Sequence, residues 1–209
     1  ALNDVVVRSG YNNFEANVAA ADFTTAVGAE TRFGMSKEIE PTLLANLDPA
    51  SGMAHNRGMD VQGNFLYTVS ALSDDFQVID ISSSTNPEIV GTYDPGDTAV
   101  YDDGFSVVVD GSYAYIAAST TVHIIDISST TNPTAVGIYR PNDTTILNSG
   151  RQIQKQGDYI FVTSEDNVGA NDTFLIIDVS TPASPTLVSS TTINGLTSVA
   201  LKGDYEYVG

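Results

Sequence analysis

An apolar-Ile-Asp-Ile-Ser phrase, always followed by a proline, recurs along this chain at nearly constant spacing. The copies are Val78-Ile79-Asp80-Ile81-Ser82, Ile124-Ile125-Asp126-Ile127-Ser128 and Ile176-Ile177-Asp178-Val179-Ser180. A degraded copy reads Arg32-Phe33-Gly34-Met35-Ser36. The prolines Pro41, Pro87, Pro133 and Pro185 lie 46, 46 and 52 residues apart. A repeat of about 40–50 residues built from short strands is what a β-propeller blade requires, since each blade buries its faces against its neighbours.

A second marker keeps the same period. Gly63, Gly111, Gly157 and Gly203 each divide two strand-like runs, at intervals of 48, 46 and 46 residues. Gln-Gly-Asn, Asp-Gly-Ser and Gln-Gly-Asp around them are hairpin turns, where glycine supplies positive φ. One blade then reads strand a at 106–109, b at 113–117, c at 122–127 and d at 134–139. The polar stretch Ser128 to Pro133 stops strand c. The expected fold is all-β, with four-stranded antiparallel blades at about 1–58, 59–105, 106–150 and 151–195. Residues 196–209 open a fifth blade, so the chain reads as a fragment of a larger propeller. The Ala-rich stretch 14–27 is assigned to strand because the repeat frame runs through it.

Charge narrows the partners. There are 26 acidic residues against 8 basic ones, a formal net charge of −18. Nucleic acid needs a basic footprint and is excluded as a partner. No apolar run approaches the length of a membrane span. The absence of cysteine rules out disulfides and thiol catalysis.

These repeats resemble the LVIVD-repeat family of bacterial and archaeal surface or secreted β-propellers. The resemblance is fullest in Asp110-Gly111-Ser112-Tyr113-Ala114-Tyr115-Ile116-Ala117, Ile124-Ile125-Asp126-Ile127-Ser128 and Asn132-Pro133. It covers 59–209 well and 1–58 weakly. It implies an extracellular or cell-surface location and assigns no reaction.

The repeated Asp80, Asp126 and Asp178 read as structural, because an active-site residue is not copied into every repeat. A carboxylate closing strand c accepts hydrogen bonds from the amides of the next turn. Tyr113/Tyr115 and Tyr205/Tyr207 alternate along strand b and are expected to pack between blades. Function on a repeat scaffold sits in its variable loops. The long connections around 94–104, 140–149 and 165–172 are expected on one end, opposite the glycine turns.

Just before the inner strands, His55, Arg57, Asp103, Phe105, Ser149 and Arg151 occupy equivalent positions and are expected to ring the channel mouth. Two arginines there suit a carboxylate, sulfate or phosphate, or else neutralise nearby acids. Asp94, Asp97, Asp102, Asp103, Glu165, Asp166 and Asp172 offer oxygen ligands for calcium. Solvated turns rich in Asp explain the same residues equally well. No nucleophile elbow, phosphate-binding glycine loop or zinc-binding histidine pair is present. The expected function is a binding or structural module whose partner is a protein, a surface glycan or a neighbouring subunit. The alternative is a secreted hydrolase or lyase with His55 as base and Arg57 or Arg151 as electrophilic support.

Overall fold

The computed structural model describes residues 44, 45, 47, 55–71, 73–96, 104–142, 147–165 and 171–209. The expected first blade, including the 14–27 strand, lies almost wholly outside these residues.

Three blades follow one plan. Blade one holds β1 (Asn56–Gln62), β2 (Phe65–Ser70), β3 (Phe76–Asp80) and β4 (Glu88–Tyr93). Blade two holds β5 (Ser106–Asp110), β6 (Tyr113–Ala117), β7 (Val122–Asp126) and β8 (Thr134–Tyr139). Blade three holds β9 (Gly150–Gln156), β10 (Tyr159–Ser164), β11 (Thr173–Asp178) and β12 (Thr186–Thr192). The strands of each pair in chain order as antiparallel neighbours, and β13 (Val199–Lys202) with β14 (Tyr205–Val208) forms a separate hairpin. Blade one starts at Asn56 and not at 59, because β1 runs past the position where the repeat period cuts.

The hairpin glycines act as the spacing predicts. Gly63, Gly111, Gly157 and Gly203 have φ of 61°, 61°, 57° and 58°. Each is the first residue of a two-residue loop, a position where an L side chain is strained.

The aspartate at the end of strand c caps the next turn. The Ser82, Ser128 and Ser180 amides donate to Asp80, Asp126 and Asp178 Oδ1, each at 2.8 Å. Hydrogen bonds from the serine hydroxyls, then from these amides, hold all three carboxyls below their ordinary range. A depressed folded-state value means the stabilisation is complete above the unfolded-state value and lost as pH falls through the folded one. The wild type is therefore expected to lose melting temperature below about pH 4. A triple Asp→Asn variant at these positions keeps an acceptor but no charge, and its melting curve should be flatter over that range. Parallel acid profiles for the two proteins would refute the assignment.

Each blade carries a bulge in strand d that the sequence did not announce. The register shifts between Val78 and Ile79, Ile124 and Ile125, and Ile176 and Ile177, leaving Val90, Val136 and Val188 as the extra residues. The bulge aims the next residue at the following blade. In blades one and two that residue is Gly91 or Gly137. A Cβ on Gly91 would run into Thr130 O, and one on Gly137 into Pro182 O. In blade three the same register position holds Ser189.

The apolar core lies between blades. Tyr67, Val69, Phe76 and Val78 of blade one pack against Val107, Ala114, Ile116 and Ile125 of blade two. The other face of blade two, with Tyr115, Val122 and Ile124, packs against Ile153, Ile160, Val162, Leu175 and Ile177 of blade three. Continuous apolar strands follow from burial on both faces. An aromatic pair repeats on the blade faces, Tyr67 on Phe76 at 6.0 Å and Phe161 on Phe174 at 6.2 Å. His123 is fully buried mid-strand, with Nε2 3.0 Å from Thr121 Oγ1.

Beyond blade three the packing thins: Leu196 and Val199 are buried, but β14 is exposed. All residues of β12 are exposed, and Val188 is 55 % exposed where Val90 and Val136 pack into the core. Tyr115 is buried as expected, but Tyr205 and Tyr207 are 69 % and 57 % exposed. The expectation that both tyrosine pairs pack between blades is corrected for this second pair, whose rings no described residue covers. Glu206 stands where Leu66, Ala114 and Ile160 stand in β2, β6 and β10, and a carboxylate does not press onto an apolar face.

Candidate functional site

Alternating strand direction puts the glycine turns and the c–d turns at one end of the blades, and the long connections at the other. The inner strands β1, β5 and β9 start at the long-loop end and stand side by side. Side chains staple them across the blade boundaries. Asp60 Oδ2 accepts from Val109 N at 2.7 Å, Ser106 Oγ from Ile153 N at 3.4 Å, and Gln152 Oε1 from Val199 N at 2.7 Å. Residues at one level of successive strands are thereby held in a row.

At the level six residues before each turn glycine, that row reads Arg57, Phe105, Arg151. The Arg57 guanidinium carbon lies 4.3 Å from the Phe105 ring centroid, and that of Arg151 lies 4.7 Å from it. One phenyl ring therefore bears two guanidinium groups. Cation–π attraction holds each guanidinium over the ring and leaves N–H edge groups able to donate to an acceptor. Arg151 spends part of that edge internally, with Nε donating to Glu165 Oε2 at 2.5 Å. Arg57 is exposed.

Ser149 is buried, and its contribution is structural. Its carbonyl accepts from Glu165 N at 2.9 Å, and its amide donates to Ser164 Oγ at 3.3 Å. This fixes the backbone of the glutamate that holds Arg151. His55 has φ of 56°, is exposed, and its carbonyl accepts from Ala71 N at 3.2 Å. Among the described residues no hydrogen bond or ion pair orients its imidazole. Asp103 lies outside the described residues.

Of the carboxylates expected to hold calcium, Asp97, Asp102, Asp103 and Asp166 also lie outside the described residues. The other three are engaged by the protein. Asp94 Oδ1 accepts from Gly96 N at 2.7 Å, Glu165 pairs with Arg151, and Asp172 Oδ2 accepts from Gly195 N at 2.7 Å and Leu196 N at 3.0 Å. No group of three His, Asp or Glu side chains suited to a metal occurs among the described residues.

The opposite end holds a feature the sequence reading missed. At the boundary of blades one and two, Gln62 Nε2 donates to Gly111 O at 2.8 Å while its Oε1 accepts from Gly111 N at 2.9 Å. Between blade three and the hairpin, Gln156 Nε2 donates to Gly203 O at 2.7 Å. Blade two has Asp110 at that position, and a carboxylate cannot donate to Gly157 O. Lys155 supplies the donor, with Nζ 2.6 Å from Gly157 O and 2.6 Å from Asp110 Oδ2. A cleft of about 450 Å³ opens here. The available signal was Asp110, where the neighbouring repeats place Gln62 and Gln156.

Stacked four-stranded antiparallel sheets, with inner strands stapled side by side, define a β-propeller. The LVIVD repeat model matches at residues 52–95, 103–141 and 150–192, and the chain belongs to that family. Solved structures agree in fold. A computationally designed protein, Ika4, has a TM-score of 0.60 at 10% identity over 81% of this chain and 92% of its own. A 6-phosphogluconolactonase assignment from Bacteroides fragilis has a TM-score of 0.60 at 14% identity, over 74% of this chain and 47% of that one. BamB from Moraxella catarrhalis has a TM-score of 0.51 at 12% identity, over 72% and 41%. The chain thus spans less than half the length of the last two. No curated protein matches.

Proposed function

We propose that this propeller is an extracellular or cell-surface binding module, and that its long-loop end takes an anionic group from a protein or surface-glycan partner. The observation that carries this reading is the Arg57–Phe105–Arg151 stack. A ring that holds two like charges costs repulsion unless a negative group balances them. Glu165 balances Arg151, and among the described residues nothing accepts from the exposed Arg57 edge, which suits an acceptor supplied by a partner. In a protein of net charge −18, such a locus selects its ligand by direct contact, since the overall field repels anions.

Titration with sulfated and carboxylated glycans and with acidic peptides tests it. Arg57→Ala should weaken the best ligand about tenfold or more, the loss of one charge-assisted contact, with the melting temperature little changed. Equal affinity in the wild type and Arg57→Ala would sink the reading. Calcium is proposed for the acidic loops at 94–103 and 165–172, with Asp94, Asp97, Asp102, Asp103, Glu165, Asp166 and Asp172 as the candidate ligands. A rise in melting temperature with millimolar calcium, reversed by a chelator, is the measurement that supports it, and an unchanged melting temperature opposes it.

A further inference from the structure

The cleft between blades two and three sits at the turn end, away from the arginine stack. Its lining includes Asp110, Tyr113, Tyr115, Asp158, Ser180 and Pro182, with Lys155 at one wall. The Tyr115 ring is buried at 3 % exposure and packs into the interblade core, so the floor is rigid. Burial first, then the Asp110 carboxylate, with smaller contributions from Tyr113 and Asp158, push its phenol up to about 12. It stays a protonated donor at any physiological pH.

Charge decides what fits. The Lys155 ammonium already fills the cation position, paired with Asp110 and 5.4 Å from the Tyr115 ring centroid. A second cation would meet that ammonium at close range, with Asp110 already paired with Lys155 and Asp158 alone to offset it. An anion meets Asp110 and Asp158. An apolar ligand would strip water from carboxylates and hydroxyls without replacing their hydrogen bonds. A neutral ligand rich in hydroxyls meets none of these costs. Its hydroxyls donate to carboxylate oxygens and accept from the phenol, while its C–H face lies on the Tyr113 ring and Pro182.

We infer that this cleft is a binding site for a neutral saccharide unit, framed by Asp110, Asp158, Tyr113 and Tyr115. At this boundary Asp110 and Lys155 stand where, at the other two, a glutamine side chain bonds the next turn glycine.

The test screens the whole chain against an array of neutral oligosaccharides, followed by calorimetric titration of any ligand found. Asp158→Asn and Tyr113→Ala are expected to weaken that ligand at least tenfold each, because both residues line the cleft. Their thermal melts check that the fold is intact. Arg57→Ala should leave saccharide affinity unchanged, which separates this site from the one at the long-loop end. The inference is overturned if no neutral saccharide binds at millimolar concentration. It is also overturned if binding survives both cleft variants, or if a basic or acidic peptide binds there instead.

Discussion

Gly137→Ala is expected to destabilise the protein by about 3 kcal/mol, at the upper end for overpacking a close contact. In a chain of this length that lowers the melting temperature by about 10 °C. The added methyl would occupy the space of Pro182 O, in the c–d turn of the next blade. Neither partner yields easily. Gly137 follows the β8 bulge and pairs with the fully buried Ile124, while the Pro182 turn is tied by Ser184 N to Thr181 O at 2.8 Å. Ser189→Gly is the control at the same register position in blade three. Ser189 is exposed, so its replacement should cost only about 0.5–1 kcal/mol, the strand penalty of glycine. Comparable losses in the two variants would show that the glycine does not serve blade stacking.

Asp172→Ala should cost a similar amount, about 3 kcal/mol, for a different reason. This carboxylate is 1 % exposed and accepts from the Gly195 and Leu196 amides. Hydrogen bonds to a charged group contribute about 1.5–3 kcal/mol each, and truncation leaves buried donors without acceptors. Those amides begin the connection into β13, so the loss should also loosen the hairpin. Urea unfolding measures the stability, and hydrogen exchange at Gly195 and Leu196 locates it. Asp172→Asn keeps one oxygen acceptor and should lose about half as much. A variant with unchanged midpoint and protected amides would contradict the assignment. The same geometry bears on calcium, because an oxygen engaged by two amides has little left for a cation.

The position of Asp172 shows how local sequence misleads about a site. In the chain it is one acidic residue in a loop with Glu165 and Asp166, a pattern that suits a cation. In the fold it turns inward to amides more than 20 residues away. Glu165 likewise faces an arginine delivered by another strand. Such pairings depend on which strands adjoin, and residue type alone does not specify that.

The sequence by itself determined the blade. Hairpin glycines need a backbone conformation that other residues resist, and a strand-ending aspartate caps its own turn two residues away. Both are local forces, so β6 and β8 begin and end where the repeat pattern places them. The equivalence of Arg57, Phe105 and Arg151 was legible for the same reason, since a fixed repeat puts equivalent residues at one level. What only the tertiary structure decided lies between blades. The guanidinium–phenyl–guanidinium stack needs the inner strands side by side. The close approach at Gly91 and Gly137 needs the strand-d bulge and the next blade's turn together. The cleft needs Lys155 of one blade to answer Asp110 of another. Contacts across a boundary join residues some 45 positions apart, and their geometry is set by packing that no short stretch of chain encodes.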